Sequence, residues 1–474
     1  MTTRGLVIDL FRGGGGASEG IEELGITVDI GVNHDPEAIR MHAVNHPETL
    51  HLLEDIFTVD LKKYVNGRKV ALVWASPACT EFSNAKGSQP KDPQARVLAW
   101  AVYDHLKQID AEVVILENVP EFQSWGGLDE NGRPLKKYQG AEYVRFMNSM
   151  HDIGYQYETW ELVAADYGAP TTRKRWYAVF RKDGKPIVYP EPTHSKKPTL
   201  FDDTERWIPC GNFIDWSETG ESIFNRKKPL AEKTMRRIAN GIRKFIIDSD
   251  NPYILTDEQA AAFLIQYHSE TTKDPRGQSL DSPISTLDTS NRYGLVSTFI
   301  TKFYKSGTGQ TCDEPLHTIT TSQGHSGIVA PFLTTYYGAE EEANSVNEPL
   351  RTITTKDRFS MVAAFLMRYY GDNGGNAVQA ASLNDPLGTV TTRERFGLVT
   401  VAGKDYQIAD IRLRMLKPEE LKLMQGFPKS YVIDHDSEGN AISKKEQVAK
   451  IGNSVVPAVA KAIAKANCPY LIPA

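Results

Sequence analysis

The stretch LVIDLFRGGGGASEG, Leu6–Gly20, decides how this chain is read. Leu6 to Leu10 is a strand-forming run, glycines fill positions 13 to 16, and a helix-compatible segment opens directly after them. Glycines there permit a tight turn and a close approach of backbone to a ligand. The dinucleotide fingerprint fails, because Gly13 and Gly15 are followed by Ser18 in the place of the third glycine. No Gly-Lys-Ser/Thr follows either, so this is no Walker loop. A simple tight turn explains the glycines equally well, and the surroundings must decide.

Working outward, further strands are predicted at Val28–Val32, Val70–Ala75, Val113–Leu116 and Trp176–Phe180, with amphipathic stretches between them. Asp35 and Pro36 open DPEAIRMHAVNH as N-cap and first helical residue, and Asp92 and Pro93 repeat the device in DPQARVLAWAVYDHLKQI. Alternation of this kind up to about Phe180 predicts an α/β fold, a doubly wound, mainly parallel sheet whose ligands bind at the carboxyl ends of the strands.

The chain has 474 residues, 40% hydrophobic and 24% charged, which suits two or three globular units. No apolar run approaches membrane-spanning length, and MTTRGLVIDLF enters a strand pattern too early for a signal peptide, so a cytoplasmic location is expected. Cys79, Cys210, Cys312 and Cys468 lie far apart, with no CxxC or Cys/His ligand spacing, so neither a metal site nor a disulfide scaffold is expected. A net charge of -6 does not advertise a nucleic-acid binder. Arg226 to Lys244, with Glu232 its only acid, nevertheless offers a local basic surface or a solvated helix face.

Residues 181–252 are rich in proline and charge and read as a connector, with one helix near Glu232–Ile247. A repeat follows. FLIQYH, FITKFY, FLTTYY and FLMRYY begin at Phe263, Phe299, Phe332 and Phe365, and Pro-Leu/Ile-x-Thr segments follow at Pro283, Pro315, Pro349 and Pro386. The units close on apolar pairs at Leu295, Ile328, Met361 and Leu398. Threonine, aromatic and β-branched residues between turn signals predict strand pairs repeated four times around a shared core.

Chemistry-bearing residues cluster at the predicted strand ends. Cys79 emerges after the Val70–Ala75 strand in SPACTEFSN, among small and polar neighbours, where a purely structural cysteine is unusual. Glu117 follows four apolar strand residues in VVILENVPEF, a position that serves acid–base work or braces a loop. Arg173 and Arg175 alternate on entering a strand and share a face, suited to carbonyl or phosphate oxygens or to an edge-strand charge pair. Asn33, His34 and Asp55 fall at the rim where a nucleoside is able to sit.

The order of glycine loop, Ser-Pro-x-Cys, Glu-Asn-Val, Arg-x-Arg, a large insert, QGFP and GNSVVP resembles the DNA (cytosine-5) methyltransferase family over about Leu6–Phe180 and Asp410–Ala464. The resemblance implies a Rossmann-like catalytic domain using S-adenosyl-L-methionine over residues 1–195, a hinge over 196–252, a β-rich target-recognition domain over 253–404 and a return to the catalytic domain over 405–474. It implies Cys79 as nucleophile, Glu117 at cytosine N3, and Arg175 at O2 with Arg173 in support. For the methyl donor it implies Asp9, Phe11, Gly13, Gly15 and Gly16, then Asn33, His34, Asp55 and Ile56, and finally Asn453, Ser454 and Val455. Asn33 stands where the family has a ribose-binding glutamate, and Asp35 is able to replace it only if its capping role leaves it available. The implied partner is double-stranded DNA, bound by a monomer in a bacterial cell or phage-infected host. A catalytically silent DNA-binding relative and an RNA-directed enzyme are the competing readings; the failed fingerprint disfavours an oxidoreductase.

Overall fold

The computed structural model describes residues 4–77 except 12, 97–224 except 200, 216, 217 and 219, 226–230 and 404–473, with residues 234, 238, 283 and 284 and short strands between 264 and 401. Cys79, Cys312, Arg12 and the Asp92–Pro93 helix start lie outside the described residues. The chain divides into two units, one of residues 1–169, 173–206 and 425–474, the other of 170–172 and 207–424.

In the first unit, strands β1 (Leu6–Leu10), β2 (Ile30–Asn33), β3 (Leu50–Leu53), β4 (Val70–Ala75), β5 (Val113–Asn118), β6 (Gln156–Val163) and β7 (Lys174–Arg181) form one sheet. Its order is β3-β2-β1-β4-β5-β7-β6. The first five are mutually parallel, and β7 runs antiparallel to both neighbours. The order reverses between β1 and β4, which places the crevice of a doubly wound sheet outside the carboxyl ends of those two strands. The loop after β1 carries the glycines, and the chain leaving β4 through Ser76 and Pro77 leads toward Cys79.

Alternation along each strand feeds two apolar layers. Leu6, Ile8 and Leu10 of β1 pack with α3 (Leu61–Val65), α4 (Leu98–Ile109) and α5 (Ala141–Asp152), where Val102, Phe146 and Met150 are buried. Val7 faces the opposite layer, with Ala17 and Ile21 of α1 (Gly16–Glu22). Two C-terminal helices, α6 (Lys444–Asn453) and α7 (Pro457–Asn467), close this unit, and α7 gives Val459, Ile463 and Ala464 to that layer. Helix α2 (Pro36–Asn45) starts as its sequence predicts: Asp35 accepts from the backbone N–H of Glu37 at 2.9 Å and of Ala38, with proline at the first turn.

In the second unit, nine antiparallel strands among the described residues form one sheet, so this unit is β-rich. Its long members are Val329–Thr335, Phe359–Met367 and Lys404–Met415. Phe359–Met367 carries both the closing pair at Met361 and the next opening at Phe365, so the end of one repeat and the start of the next share a strand. Of the Pro-Leu/Ile-x-Thr segments only Pro283 and Ile284 lie among the described residues, and both are buried. The helix expected over Glu232–Ile247 lies outside them save for Thr234 and Ile238, both buried. Residues 207–224 pack within this unit: Glu420 accepts from Asp215 N–H at 2.8 Å and pairs with Arg414 at 2.7 Å.

Candidate active site

Antiparallel pairing sets Glu117 of β5 directly opposite Tyr177 of β7, with Arg175 two residues before Tyr177 on the same face. Glu117 Oε1 lies 3.2 Å from Arg175 Nε, both side chains 9% exposed. The contact is an ion pair without hydrogen-bond geometry, so neither atom is saturated among the described residues. Arg175 Nη1 donates to the Lys174 carbonyl at 2.8 Å. Buried Arg173 instead donates Nη1 to the Gly452 carbonyl at 3.0 Å, which ties β7 to α6. Burial first, then the Glu117 charge, pushes the Tyr177 phenol well above its ordinary pKa, so Tyr177 stays neutral beside the pair.

Asn118, fully buried beside Glu117, was not singled out by sequence reasoning, although the Glu-Asn-Val triplet contains it. Its amide donates to the Pro77 carbonyl at 3.1 Å and its Oδ1 accepts from Val119 N–H at 2.9 Å. The last described residues before Cys79 are therefore fastened to the strand end that carries Glu117.

The glycine loop is packed from behind by the C-terminal segments. Gly15 holds φ at +86°, and a Cβ on Gly16 would collide with the Val455 carbonyl oxygen, so both positions need glycine. Tyr431 Oη donates to the Gly14 carbonyl at 2.7 Å, and its ring sits 4.5 Å from that of Phe427 in QGFP. Gln425 of the same motif donates to the Ser454 carbonyl at 3.1 Å. Ser454 in turn donates to the Lys450 carbonyl at 2.7 Å. Sequence regions more than 400 residues apart thus form one body around Gly13–Gly16.

The expected donor residues separate into two groups. Gly15, Gly16, Ser454, Val455, Ile56 and Asp9 are buried, and the first four are spent on packing the loop. Phe11, Gly13, Asn33, His34, Asp55 and Asn453 remain accessible at the rim. Phe11 has φ +62°, uncommon for a residue with a side chain, so the turn is held in a left-handed conformation at the residue after β1. Asn33 Oδ1 accepts from Asp35 N–H at 2.9 Å, and Asp55 Oδ1 accepts from Phe57 N–H at 2.9 Å. Asp35 is fully engaged, one oxygen on the α2 N-terminus and the other on the Lys450 ammonium. Burial raises its pKa, but the Lys450 contact and the helix N–H groups outweigh this and hold the carboxyl below its usual range. A ribose hydroxyl at Asp35 would have to share its oxygens with the α2 N-terminus and Lys450. Accessible Gly13, an aromatic ring, an amide and a rim carboxylate fit a flat, polar nucleoside donor. No group of His, Cys, Asp and Glu among the described residues is arranged to hold a metal ion.

Sequence motifs, sheet order and rim chemistry converge on one family, and a family model described as C-5 cytosine-specific DNA methylase matches residues 6–468. The chain belongs to that family. As a C-5 cytosine-specific DNA methylase it is a methyltransferase whose substrate is DNA. It is 30% identical over 266 residues to Type II methyltransferase M1.HphI of Haemophilus parahaemolyticus, covering 52% of this chain and 69% of that one. Over 200 residues it is 28% identical to Type II methyltransferase M.AquIA of Picosynechococcus sp., covering 40% and 76%. It is likewise 28% identical over 193 residues to Type II methyltransferase M.AgeI of Thalassovita gelatinovora, of which the match spans 42%, under half. No helix among the described residues of this methylase is long and apolar enough to cross a membrane.

Proposed function

We propose that this methylase flips a target cytosine out of duplex DNA, adds the Cys79 thiolate to C6 and methylates C5. The observation that carries the proposal is the buried Glu117–Arg175 pair at the carboxyl end of β5, next to the Asn118 bond that holds Pro77, two residues before Cys79 in the sequence. Carbon 5 of cytosine is too weak a nucleophile for direct methylation. Attack by sulfur forms a C6–S bond and moves the ring's electron pair toward C5 and N3. Glu117 holds or donates a proton at N3, and Arg175 offers N–H groups to O2, so the charge that develops meets groups already in place. S-adenosyl-L-methionine supplies the methyl group when bound. Loss of the C5 proton to solvent then returns the electron pair, breaks the C6–S bond and frees the thiolate. Because C6 is inaccessible in a stacked duplex, the base must be extruded.

The donor cradle is formed by Phe11, Gly13, Asn33, His34, Asp55, Ile56 and Asn453, shaped from behind by Asp9, Gly15, Gly16, Ser454 and Val455. Arg173 positions β7 through Gly452 and leaves the ring oxygens to Arg175. In this proposal residues 1–195 and 405–474 catalyse, 196–252 connect and 253–404 choose the target on double-stranded DNA, while 207–252 and 405–424 belong by packing to the β-rich unit. The enzyme acts as a monomer in the cytoplasm.

Radiolabelled S-adenosyl-L-methionine and duplex DNA test this, with the modified base identified after digestion. The reading requires 5-methylcytosine, and Glu117→Gln lowers kcat by roughly 100-fold or more with little change in DNA affinity. Label recovered on a cytosine amino group, or no transfer to any DNA, contradicts it.

A further inference from the structure

Residues 126–140, between β5 and α5, take no part in the site described above. They form a compact hairpin. Leu128 bridges Pro134 in antiparallel fashion, Asp129 N–H donates to the Arg133 carbonyl at 2.8 Å, and Leu135 N–H donates to the Gly127 carbonyl at 3.0 Å. The Asp129 carboxylate is consumed inside the turn, accepting from Asn131 N–H at 2.9 Å and Arg133 N–H at 2.8 Å. A Cβ on Gly126 would strike the Tyr138 carbonyl oxygen, so the two arms touch at their base. Trp125, 3% exposed, roots the hairpin in the core, and its carbonyl accepts from Glu142 N–H and Tyr143 N–H at the start of α5.

Everything from Arg133 to Gln139 is exposed, in the order Arg-Pro-Leu-Lys-Lys-Tyr-Gln. Arg133, Lys136 and Lys137 make no ion pair among the described residues, although surface cations elsewhere in this unit, such as Lys69 and Lys107, have carboxylate partners. Leu135 and Tyr138 are also open, at 37% and 48%, and the Lys137 ammonium lies 5.4 Å over the Tyr138 ring. Topology fixes which end of the sheet presents this surface. The hairpin leaves the carboxyl end of β5, and α5 leads back to β6, which runs in the direction of β5 because both are antiparallel to β7. It therefore stands at the rim that carries Glu117 and the glycine loop.

Three unpaired cations, a tyrosine hydroxyl and an apolar side chain on a preorganised hairpin match a polyanion with sugars between its charges. We infer that the 126–140 hairpin grips the sugar–phosphate backbone of duplex DNA beside the extruded cytosine, giving register without reading bases. The inference rests on the methyltransferase reading and adds a contact surface to it.

The test uses the full chain carrying Arg133→Ala, Lys136→Ala and Lys137→Ala together, with duplex affinity measured across a salt series. Each phosphate contact adds about 0.9 to the slope of log affinity against log salt, so the triple variant is expected to be shallower by about two to three. Its kcat at saturating DNA and its Tm stay at the wild-type values, and a Lys136→Arg/Lys137→Arg variant keeps the wild-type slope. Wild-type slope and affinity in the triple variant overturn the inference while leaving wild-type cytosine methylation intact. If the wild-type chain transfers no methyl group to DNA, the methyltransferase reading falls and the hairpin inference falls with it.

Discussion

Ser18 occupies the place where a dinucleotide loop would have its third glycine, and its hydroxyl donates to the buried Asp9 carboxylate at 2.7 Å. With its proton on Asp9, the Ser18 oxygen accepts from His42 Nε2 at 2.9 Å, and His42 Nδ1 then accepts from His51 Nε2 at 2.9 Å. One donor direction runs through the whole chain, from the edge strand to the Asp9 carboxylate of β1. Beside it, His46 lies 2.7 Å from Glu22 and 3.2 Å from the Tyr431 hydroxyl that supports Gly14. In the sequence Ser18 is legible only as a missing glycine, because nothing local shows that its partners come from α2 and β1. Ser18→Ala leaves Asp9 and His42 buried with a partner removed, at a cost of about 1–3 kcal/mol in urea unfolding. It also weakens binding of S-adenosylhomocysteine, measured by calorimetry. Unchanged unfolding and binding would mean that the chain of side chains is incidental to the loop.

Elements were legible where burial is dense. β1, β4 and β5 are apolar on both faces, as parallel central strands must be, and all three lie where the pattern predicts, β5 running two residues further to include Glu117 and Asn118. β3 and β6 were missed because they are the sheet's two edges: each buries a single residue, Leu52 and Leu162, and so carries no apolar period to read. The start of β2 shifts from Val28 to Ile30, since Val28 N–H is taken by the Glu22 side chain before the ladder begins. At the far end of β7, Arg181 joins elements distant in sequence, donating to Asp183 at 2.7 Å and to the carbonyls of Pro186 and Asn467. The hydrogen bonds from Arg181 outweigh burial and take the Asp183 carboxyl from 3.8 down to about 2. A lowered folded-state value favours the ionised form, so this stabilisation is complete above about pH 3.8 and lost as pH falls through about 2. Arg181→Gln costs about 3 kcal/mol at pH 7 by urea unfolding, as for breaking a buried pair from one side. The gap to wild type narrows as the acid end of that window is entered; a gap that stays constant with pH would contradict the pairing.

At the scale of the whole molecule, the α/β architecture and the presence of a β-rich second unit were readable from strand–helix alternation and from the threonine-rich repeat. Their assembly was not. The joining of Gly13–Gly16 to Phe427, Tyr431 and Ser454 depends on contacts across more than 400 residues, which no local pattern encodes. The candidate chemistry was readable for a different reason: Glu117 and Arg175 meet only because β7 is antiparallel to β5, yet each is conspicuous alone as a charge at the end of an apolar strand. The central claim joins these scales in a transient bond between the Cys79 sulfur and C6 of an extruded cytosine. The most direct measurement is to incubate the enzyme and S-adenosyl-L-methionine with a diverse pool of duplexes in which 5-fluorocytosine replaces cytosine, then to look for a protein–DNA species that survives denaturing electrophoresis. Fluorine at C5 cannot leave as a proton, so the account predicts a stable adduct that maps to the Cys79 peptide and is absent from Cys79→Ser; methylation of the matching cytosine duplexes with no such adduct, or an adduct at another residue, would contradict it.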